Sequence, residues 1–479
     1  MDKLNASLII KNELITTDRS IDVIGPATGK PIGTMSCADI NHVNNAVASA
    51  THAFNEWKEL TAYERESIIK KATSYARTKA DGIGMLMALE QGKPLKQSVG
   101  EVTGACDMID YYAAEGVRIE GTINQTEKTQ FRSMVIHQPV GVVAAITPWN
   151  YPVALLSWKL GPALAAGCSV IVKPTPITPL SPFAFCKALC DGGLPTALLS
   201  VICSDQVSVA EHLVAHPDVK KVAMTGATQT GKAINTAVAD QLKSVTLELG
   251  GHCPAIVCED ADIEVSAKLI AYKAFRNMGQ SCSTINRIYV HSSIHDALVD
   301  ALTKEAEATT MGDGIEPGDV DLGPMCTAEA REKVEAHVKD AIDKGATLIY
   351  GGSRPETLSA DGYYYLPTIL TNVPDDAIMM HDETFGPVAP FQTYDDIDDA
   401  IARANDSRYG LSSYLFTKDM ATMYKVSEAL EAGTVAVNNV SVNSAYAPYE
   451  GWKDSGLGFD LSRDAIHEYL KMKHIKIAL

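Results

Sequence analysis

Residues 142–172 read VVAAITPWNYPVALLSWKLGPALAAGCSVIV. The stretch begins with a short apolar run, continues with a helix-like segment from Leu155 to Ala166, and ends in a second apolar run at 169–172. Two such runs, separated by a helical pattern of about ten residues, are typical of a βαβ unit. Strands of a parallel sheet with helices on both faces are almost wholly apolar, and both runs have this character.

The same alternation continues on the C-terminal side of this unit. Helices are predicted at 181–189 and 207–215, and strands at 199–202 and 221–224. A second α/β pattern, with a strand at 255–258, a helix at 264–278 and a strand at 287–290, extends to about residue 430. Residues 41–120 carry apolar positions three and four residues apart, which indicates helices. The fold class predicted is therefore α/β with parallel sheets.

The C-terminal region has a different pattern. After residue 465 the chain ends in a strand-like run at 473–477, which is suited to pairing with another subunit. The full length of 479 residues predicts two or three domains.

The composition excludes several classes of protein. With 46% hydrophobic and 21% charged residues the chain is globular rather than disordered or fibrous. Its net charge of −18 argues against nucleic acid or an anionic membrane as a partner. No apolar run approaches the roughly 20 residues of a membrane helix, and the N-terminus lacks the pattern of a signal peptide. We therefore expect a cytoplasmic protein.

The ten cysteines are dispersed, and no Cys-x-x-Cys pair occurs. In a chain of this type most of them are expected to be reduced, buried side chains. The pairs His212/His216 and His291/His295 have the spacing of metal ligands on a helix, but no third ligand accompanies either pair. No metal site is predicted.

Polar and glycine-containing segments follow three of the predicted strands. They are TPWN at 147–150, KPTP at 173–176 and TGA at 225–227. Parallel α/β sheets bind ligands beyond the carboxyl ends of their strands, so these segments are expected to form one site. The spacing of Gly226 and Lys232 resembles a phosphate loop, but the serine or threonine that ends a Walker motif is absent.

Four residues spread over the chain have catalytic potential together. Cys282 offers a thiol nucleophile, Glu248 a carboxylate base, and Asn150 an amide donor for an oxyanion. Glu383 offers a carboxylate that can position a cofactor. Each alone is a weak signal, since an isolated cysteine is more often inert, but Cys282 lies in a polar, glycine-containing loop. The set predicts a thiol-based oxidation.

Four motifs carry a resemblance to a known family: TPWNYP at 147–152, LELGG at 247–251, GQSC at 279–282 and FGPV at 385–388. In this order they resemble the NAD(P)-dependent aldehyde dehydrogenase superfamily, and the resemblance spans nearly the whole chain. It implies a Rossmann-like dinucleotide-binding domain, an α/β catalytic domain and a small β hairpin for homodimer or homotetramer formation. The expected bounds are 1–122 with 141–250, 251–440, and 123–140 with 460–479, respectively.

The resemblance also implies a role for each catalytic candidate. Cys282, as thiolate, attacks the aldehyde carbonyl, and the oxyanion is held by the Asn150 amide and the backbone N–H of Cys282. Loss of hydride to the nicotinamide gives a thioester, which Glu248 hydrolyses by activating water. Family members that transfer the acyl group to coenzyme A typically lack a carboxylate at this position. Release of a free acid is therefore expected.

The resemblance implies a set of cofactor contacts, in which Lys173 faces the adenosine ribose and Glu383 and Phe385 face the nicotinamide riboside. The other expected contacts are Thr147, Pro148, Trp149, Thr175, Pro176, Thr225, Gly226, Ala227, Gly231, Leu249 and Gly250. Pro176 replaces the glutamate that often grips both ribose hydroxyls in NAD-preferring members, which also removes repulsion of a 2′-phosphate. Ala227 replaces the usual serine. We expect NADP in preference to NAD, or the use of both.

Within the superfamily, the chain is most similar to succinate-semialdehyde dehydrogenases. Arg276 matches an arginine that binds the far carboxylate of the substrate, and Ser444 matches a substrate-contacting serine. Trp158 replaces the partner arginine, so a guanidinium cation that can bind a carboxylate through two hydrogen bonds is replaced by an uncharged indole. The family's Pro-Phe-Gly-Gly is also changed, to PYEG at 448–451. A short semialdehyde with a distal anionic group is expected, with an aromatic, neutral or sulfonated aldehyde as the alternative.

Two other functions remain open at this point. The chain can be a catalytically silent member of the fold with a binding or structural role, which the changes at Ala227, Glu450 and Phe459 keep open. It can also be a thioester hydrolase that uses no cofactor. The joint presence of Cys282, Glu248 and Asn150 favours the dehydrogenase over the silent protein.

Overall fold

The structure is a computed structural model that describes residues 4–11, 13–316 and 319–479. Its helices are α1 (Ile40–Trp57), α2 (Ala62–Arg77), α3 (Ala80–Gln91), α4 (Leu95–Gly116), α5 (Ala154–Ala166), α6 (Leu180–Asp191), α7 (Val207–Ala215), α8 (Thr228–Val238), α9 (Ile263–Phe275), α10 (His295–Ala308), α11 (Ala328–Asp343), α12 (Ile378–His381), α13 (Ile397–Asn405) and α14 (Met420–Ala429). No helix in these ranges has both the length and the apolar character needed to cross a bilayer.

The strands of the described ranges follow in chain order. They are β1 (Leu4–Ala6), β2 (Leu8–Ile10), β3 (Glu13–Ile15), β4 (Ser20–Gly25), β5 (Lys30–Ser36), β6 (Thr122–Asn124), β7 (Phe131–Pro139), β8 (Val142–Thr147), β9 (Ser169–Pro174), β10 (Leu199–Val201), β11 (Val219–Thr225), β12 (Ser244–Glu248), β13 (Cys253–Val257), β14 (Ile285–His291), β15 (Thr347–Tyr350), β16 (Thr368–Thr371), β17 (Val388–Tyr394), β18 (Tyr409–Gly410), β19 (Ser412–Phe416), β20 (Thr434–Val437), β21 (Pro448–Glu450), β22 (Trp452–Lys453), β23 (Gly456–Leu457), β24 (Phe459–Leu461) and β25 (Leu470–Ala478).

The first large sheet has the strand order β23-β12-β11-β8-β9-β10-β2-β3. Its five central strands, β12 to β10, are parallel, as the sequence predicts for four of them. Strand β12 was not predicted, and β23, β2 and β3 add antiparallel edges that the sequence pattern did not reveal. Alternate residues of β8 enter separate cores, because Val143 and Ala145 face one layer of helices and Val142 and Ala144 face the other.

The second large sheet has the order β15-β16-β17-β14-β13-β19-β20 and is parallel except at β15. The helix predicted over 264–278 ends earlier, at Phe275, because the next residues adopt a different backbone. Both sheets direct loops toward one cleft. The division of the chain into three functional units stays a prediction.

A third, small sheet has the order β25-β7-β6. Residues 470–478 of β25 pair antiparallel with residues 131–139 of β7, within the same chain. A strand has two edges. This intrachain pairing uses one edge of β25, and pairing of this run with another subunit stays a prediction for its other edge.

Candidate active site

The loop that presents Cys282 is set by an unusual backbone. After α9 ends, Asn277, Met278 and Gly279 follow one another with φ of 53°, 58° and 64°. A side chain at Gly279 would lie 2.1 Å from the carbonyl oxygen of Gly386, so only glycine permits this approach. The left-handed run turns the chain sharply and brings Cys282 to the cleft.

Gln280 anchors this loop. Its amide donates to the carbonyl of Asn277 at 2.9 Å and accepts from the backbone N–H of Cys326 at 2.8 Å. The Thr284 hydroxyl donates to the carbonyl of Gly279 at 3.0 Å. These buried bonds hold the nucleophile loop in one conformation.

The thiol of Cys282 is half-buried, and its pKa is raised to about 11 because burial disfavours the charged thiolate. Its Sγ lies 3.6 Å from the hydroxyl of Tyr449, whose hydrogen bond lowers the pKa. The charges of Glu383 and Glu248 raise the pKa further, and the ammonium of Lys273 lowers it. The thiol therefore lies close enough to Glu248 and Glu383, the two carboxylates predicted from the sequence, for their charges to act on it.

Asn150 is buried at the end of the loop that follows β8. Its Nδ2 donates to the carbonyl of Gln280 at 3.0 Å, which fixes the amide beside the nucleophile loop. An amide nitrogen carries two hydrogens, so one remains for a ligand. The Asn150 carbonyl accepts from Lys93 Nζ at 2.9 Å and from Asn277 Nδ2 at 3.1 Å, which holds its backbone as well.

The ion pair between Lys93 and Glu101 belongs to the site and was missed by the sequence reasoning. Its N–O distance is 2.5 Å and both side chains are almost fully buried. Glu101 also accepts from the backbone N–H groups of Val153 and Ala154, at 3.0 Å each, where α5 begins. In the sequence both charges are indistinguishable from those of a solvated helix surface.

Glu248 ends β12 and is 2% exposed. Within the described residues neither of its carboxyl oxygens has a hydrogen-bond partner. Burial raises the pKa of this carboxyl well above its usual range, the charge of Asp460 raises it further, and Lys159 lowers it. Lys159 and Asp460 form a fully buried ion pair with each other. Burial therefore favours the neutral form of Glu248 relative to an exposed glutamate.

One cavity brings most of the predicted residues together. Of the predicted site residues, it is lined by Pro148, Trp149, Asn150, Thr225, Gly226, Ala227, Leu249, Gly250, Cys282, Glu383 and Phe385. Four other residues, missed by the sequence reasoning, complete the wall: Leu155, Ala330, Lys333 and Thr384. Glu248 is not among the residues that line the cavity, although its charge acts on the Cys282 thiol.

A glycine allows two backbone segments of the cavity wall to approach each other closely beside Cys282. A side chain at Gly251 would lie 2.0 Å from the carbonyl oxygen of Cys282. The Gly251 N–H donates to Glu383 at 2.9 Å, and burial raises the pKa of this carboxyl to about 7. Phe385, at a φ of 56°, packs edge-on against Trp149 with 5.3 Å between ring centroids.

The cavity also contains the start of α8, and this arrangement fits a dinucleotide. Ala227 precedes the helix and caps it with no side-chain hydrogen bond, which leaves the first backbone N–H groups free for phosphate. The Thr225 hydroxyl is buried without a partner in the described part of the chain. Gly231 does not line the cavity, because it packs against Leu249, 2.4 Å from where its Cβ would be.

Besides Gly231, four of the predicted cofactor residues lie outside this cavity wall. Thr147 ends β8 with a buried hydroxyl for which the described residues offer no partner. Lys173, 9% exposed on β9, forms no ion pair within the described ranges, and burial lowers the pKa of its ammonium. Thr175 and Pro176 are half-buried in the loop that follows.

The three predicted substrate residues occupy different environments. Trp158 is buried on α5 and packs edge-on against Tyr449, with ring centroids 5.5 Å apart. Arg276 is exposed, donates to the hydroxyl of Tyr272 and stacks on its ring. It lines a groove beside α9 rather than the cavity that contains Cys282. Ser444 is half-buried in the loop before β21.

Comparisons with known proteins agree with this architecture over nearly the whole chain. Residues 15–475 match the model described as "Aldehyde dehydrogenase family". The mitochondrial succinate-semialdehyde dehydrogenase of Arabidopsis thaliana is 40% identical over 458 residues, which are 96% of this chain and 86% of that protein. The NADP(+) succinate-semialdehyde dehydrogenase of Escherichia coli is 37% identical over 485 residues and the match covers 100% of both proteins.

Among solved structures, an NADP-dependent enzyme of Escherichia coli has the same fold with a TM-score of 0.96. It is 37% identical in sequence, and the match covers 99% of this chain and 98% of that chain. The α/β fold class predicted from the sequence is confirmed.

Proposed function

Because the chain belongs to the aldehyde dehydrogenase family, we propose that it oxidises a short aldehyde with a distal anionic group to the free carboxylic acid. Succinate semialdehyde is the first substrate to test, since the relatives described above act on it by name. One observation carries the proposal. A single cavity presents the Cys282 thiol, the Asn150 amide and a wall that fits a dinucleotide.

The first chemical step is attack by Cys282. Its thiolate adds to the aldehyde carbon, and the carbonyl oxygen becomes an oxyanion. The free hydrogen of Asn150 Nδ2 and the backbone N–H of Cys282, which donates to no protein acceptor in the described ranges, stabilise this charge. Both donors are fixed before the substrate arrives, so they lose little freedom on binding it.

The residues at the start of α8 would hold the phosphates of the cofactor, and Glu383 and Phe385 would hold its nicotinamide end. NADP or NAD, when bound, supplies the hydride acceptor that converts the Cys282 adduct into a thioester. Trp149, packed edge-on against Phe385, fixes the orientation of that ring. The cavity has an apolar wall here, which limits the access of water to the reacting carbon.

Glu248 completes the reaction by removing a proton from water, which then hydrolyses the thioester. Its high pKa suits a general base, because a more basic carboxylate accepts a proton from water more readily. The buried ion pair of Lys159 and Asp460 sets the charge around it. The acid product then leaves, and Cys282 is free again.

The function is tested by mixing the purified chain with succinate semialdehyde and either NADP or NAD, and recording reduced nicotinamide. We expect turnover, with NADP preferred. Turnover only with an aromatic, neutral or sulfonated aldehyde would replace the proposed substrate and leave the reaction type intact. A silent binding protein would show no turnover with any of these aldehydes, and a cofactor-independent hydrolase would show no thermal stabilisation by nucleotide.

Replacing Arg276 with alanine is expected to raise KM for succinate semialdehyde about tenfold and to leave KM for a neutral aldehyde unchanged, since a charged hydrogen bond is lost. Lys268→Ala is the matched control, because Lys268 is another exposed cation in the same groove on α9. Steady-state kinetics with both aldehydes measure the effect. Equal effects on both substrates would reject Arg276 as an anion contact.

Replacing Pro176 with glutamate is expected to shift the ratio of kcat/KM for NADP over NAD at least about tenfold toward NAD. A carboxylate there accepts hydrogen bonds from both ribose hydroxyls and repels a 2′-phosphate. Pro176→Ala is the control, because it removes the proline ring without adding a charge. If the ratio stays unchanged in the glutamate variant, cofactor selectivity resides elsewhere, with Lys173 as the next residue to substitute.

We also propose that the chain forms a homodimer or homotetramer through its small sheet. That sheet exposes large apolar side chains to solvent, with Ile123 86% and Met472 77% exposed. Exposed apolar side chains of this kind are a feature of subunit interfaces. Sedimentation velocity at several concentrations tests this assembly. A cytoplasmic location stays a prediction.

A further inference from the structure

Tyr449 makes a contact with the nucleophile that the proposed reaction has not used. It is the central residue of β21 and is 3% exposed. Its Oη lies 3.6 Å from Cys282 Sγ, and within the described residues this sulfur is the only hydrogen-bond partner of the hydroxyl. A buried tyrosine hydroxyl normally has a partner, so the contact is part of the site rather than incidental.

The direction of this hydroxyl is fixed from two sides. The ring packs edge-on against Trp158, at an interplanar angle of 72°. The backbone of β21 pairs with β24, where Tyr449 faces Asp460. Because both the ring and the backbone are held, the hydroxyl points at the sulfur before any substrate binds.

We propose that Tyr449 is a catalytic residue, whose phenol donates a hydrogen bond to Cys282 Sγ and stabilises the thiolate that attacks the aldehyde. The inference rests on the proposed role of Cys282 as nucleophile. A neutral thiol is a poor acceptor, whereas a thiolate accepts a charge-assisted bond. The phenol therefore favours the ionised sulfur over the neutral one, which is the condition for raising the rate.

The other groups that face Cys282 do not replace this donor. Lys273 on α9 makes no hydrogen bond to the sulfur in the described ranges and donates to the Ser283 hydroxyl at 2.9 Å, while Glu248 and Glu383 oppose a negative sulfur. Cys253 on β13 donates to the Cys282 carbonyl. Tyr414 on β19 donates to the Ser283 carbonyl, and Tyr151 lies under the ammonium of Lys93.

Burial raises the pKa of the Tyr449 hydroxyl well above its usual value, so it remains a donor at working pH.

The position also separates this chain from the family pattern. The sequence has Tyr449 where the Pro-Phe-Gly-Gly motif has phenylalanine. Tyr449→Phe thus removes one oxygen and leaves the packing against Trp158 in place. Tyr112→Phe is the matched control, because its hydroxyl is also buried and donates to the carbonyl of Ser462, away from the sulfur.

The test is the rate of Cys282 alkylation by iodoacetamide between pH 7 and 10, resolved by peptide mass spectrometry. Loss of the donor raises the pKa of the thiol, so we expect alkylation of Tyr449→Phe at pH 8 to be about tenfold slower than in the unsubstituted chain. The acid limb of the pH profile of kcat/KM should move to higher pH by the shift in thiol pKa that the alkylation rates give. Tyr112→Phe should stay within twofold of the unsubstituted chain.

An unchanged pH dependence in folded Tyr449→Phe, with thermal unfolding as in the control, would overturn the inference. A change of equal size in Tyr112→Phe would also overturn it, since the effect would then be structural. A separate result would contradict the proposed role of Cys282 as the nucleophile. If the unsubstituted chain still oxidises aldehyde after Cys282 has been completely alkylated, Cys282 is not the nucleophile.

Discussion

Replacing Cys282 with alanine is expected to abolish aldehyde oxidation, with a fall in kcat of at least about 10⁴-fold, and to abolish ester hydrolysis as well. The thiol is the nucleophilic side chain that lines the cavity together with the Asn150 amide. Without sulfur no covalent adduct forms, and the fixed oxyanion donors have no tetrahedral intermediate to stabilise. Formation of reduced nicotinamide and release of nitrophenol from an ester substrate measure the two activities.

The variant should otherwise resemble the unsubstituted chain. Alanine removes one atom from a half-buried side chain, so the free energy of unfolding is expected to change by about 1 kcal/mol or less. Nucleotide binding, followed by thermal stabilisation, should persist, because the start of α8 is unaffected. Cys190→Ala is the control, as Cys190 is also half-buried but lies on α6. Oxidation by Cys282→Ala at the unsubstituted rate would reject the nucleophile.

The sequence was most informative where local periodicity decides the structure. The helix predicted at 207–215 is α7, with the same bounds, and the strand predicted at 169–172 lies within β9. The helix is decided by apolar residues three and four positions apart, and the strand by a continuous apolar run. The family resemblance, which depends on four short motifs in order, is also confirmed.

Tertiary contacts decided the parts that the sequence did not reveal. The helix predicted over 264–278 includes Asn277 and Met278, but both residues are left-handed, and Gly279 then approaches the carbonyl of Gly386. Lys159 and Asp460 lie 301 positions apart in sequence. Nothing in either local segment indicates that they form an ion pair whose charges act on Glu248. Their partners are set by the order of strands, which local periodicity does not specify.

Arg276 illustrates a different limit. A motif match assigned it to the far end of the substrate, and the structure places it on the surface against Tyr272, outside the cavity of Cys282. Residue identity gives the chemistry that a side chain can perform, but its rotamer depends on neighbours such as Tyr272. The role of Arg276 therefore remains a proposal, which the kinetic comparison of anionic and neutral aldehydes tests.

Replacing Glu248 with glutamine is expected to slow steady-state turnover by about 10²- to 10⁴-fold, and to leave a rapid burst of one reduced nicotinamide per active site. Glutamine has the shape of the carboxyl but accepts no proton from water, so the thioester of Cys282 accumulates. Stopped-flow absorbance measures the burst, and mass spectrometry of the quenched protein measures the thioester. Glu428→Gln, at an exposed carboxylate on α14, should keep both at normal levels.

The pH dependence gives an independent test of the same role. Because the pKa of Glu248 is raised, its carboxylate form is lost as pH falls through a value well above that of an ordinary glutamate. Deacylation in the unsubstituted chain should therefore slow as pH falls, while Glu248→Gln should lose this dependence. If the burst disappears from Glu248→Gln and no thioester accumulates, Glu248 acts before hydride loss. The base for hydrolysis must then lie elsewhere.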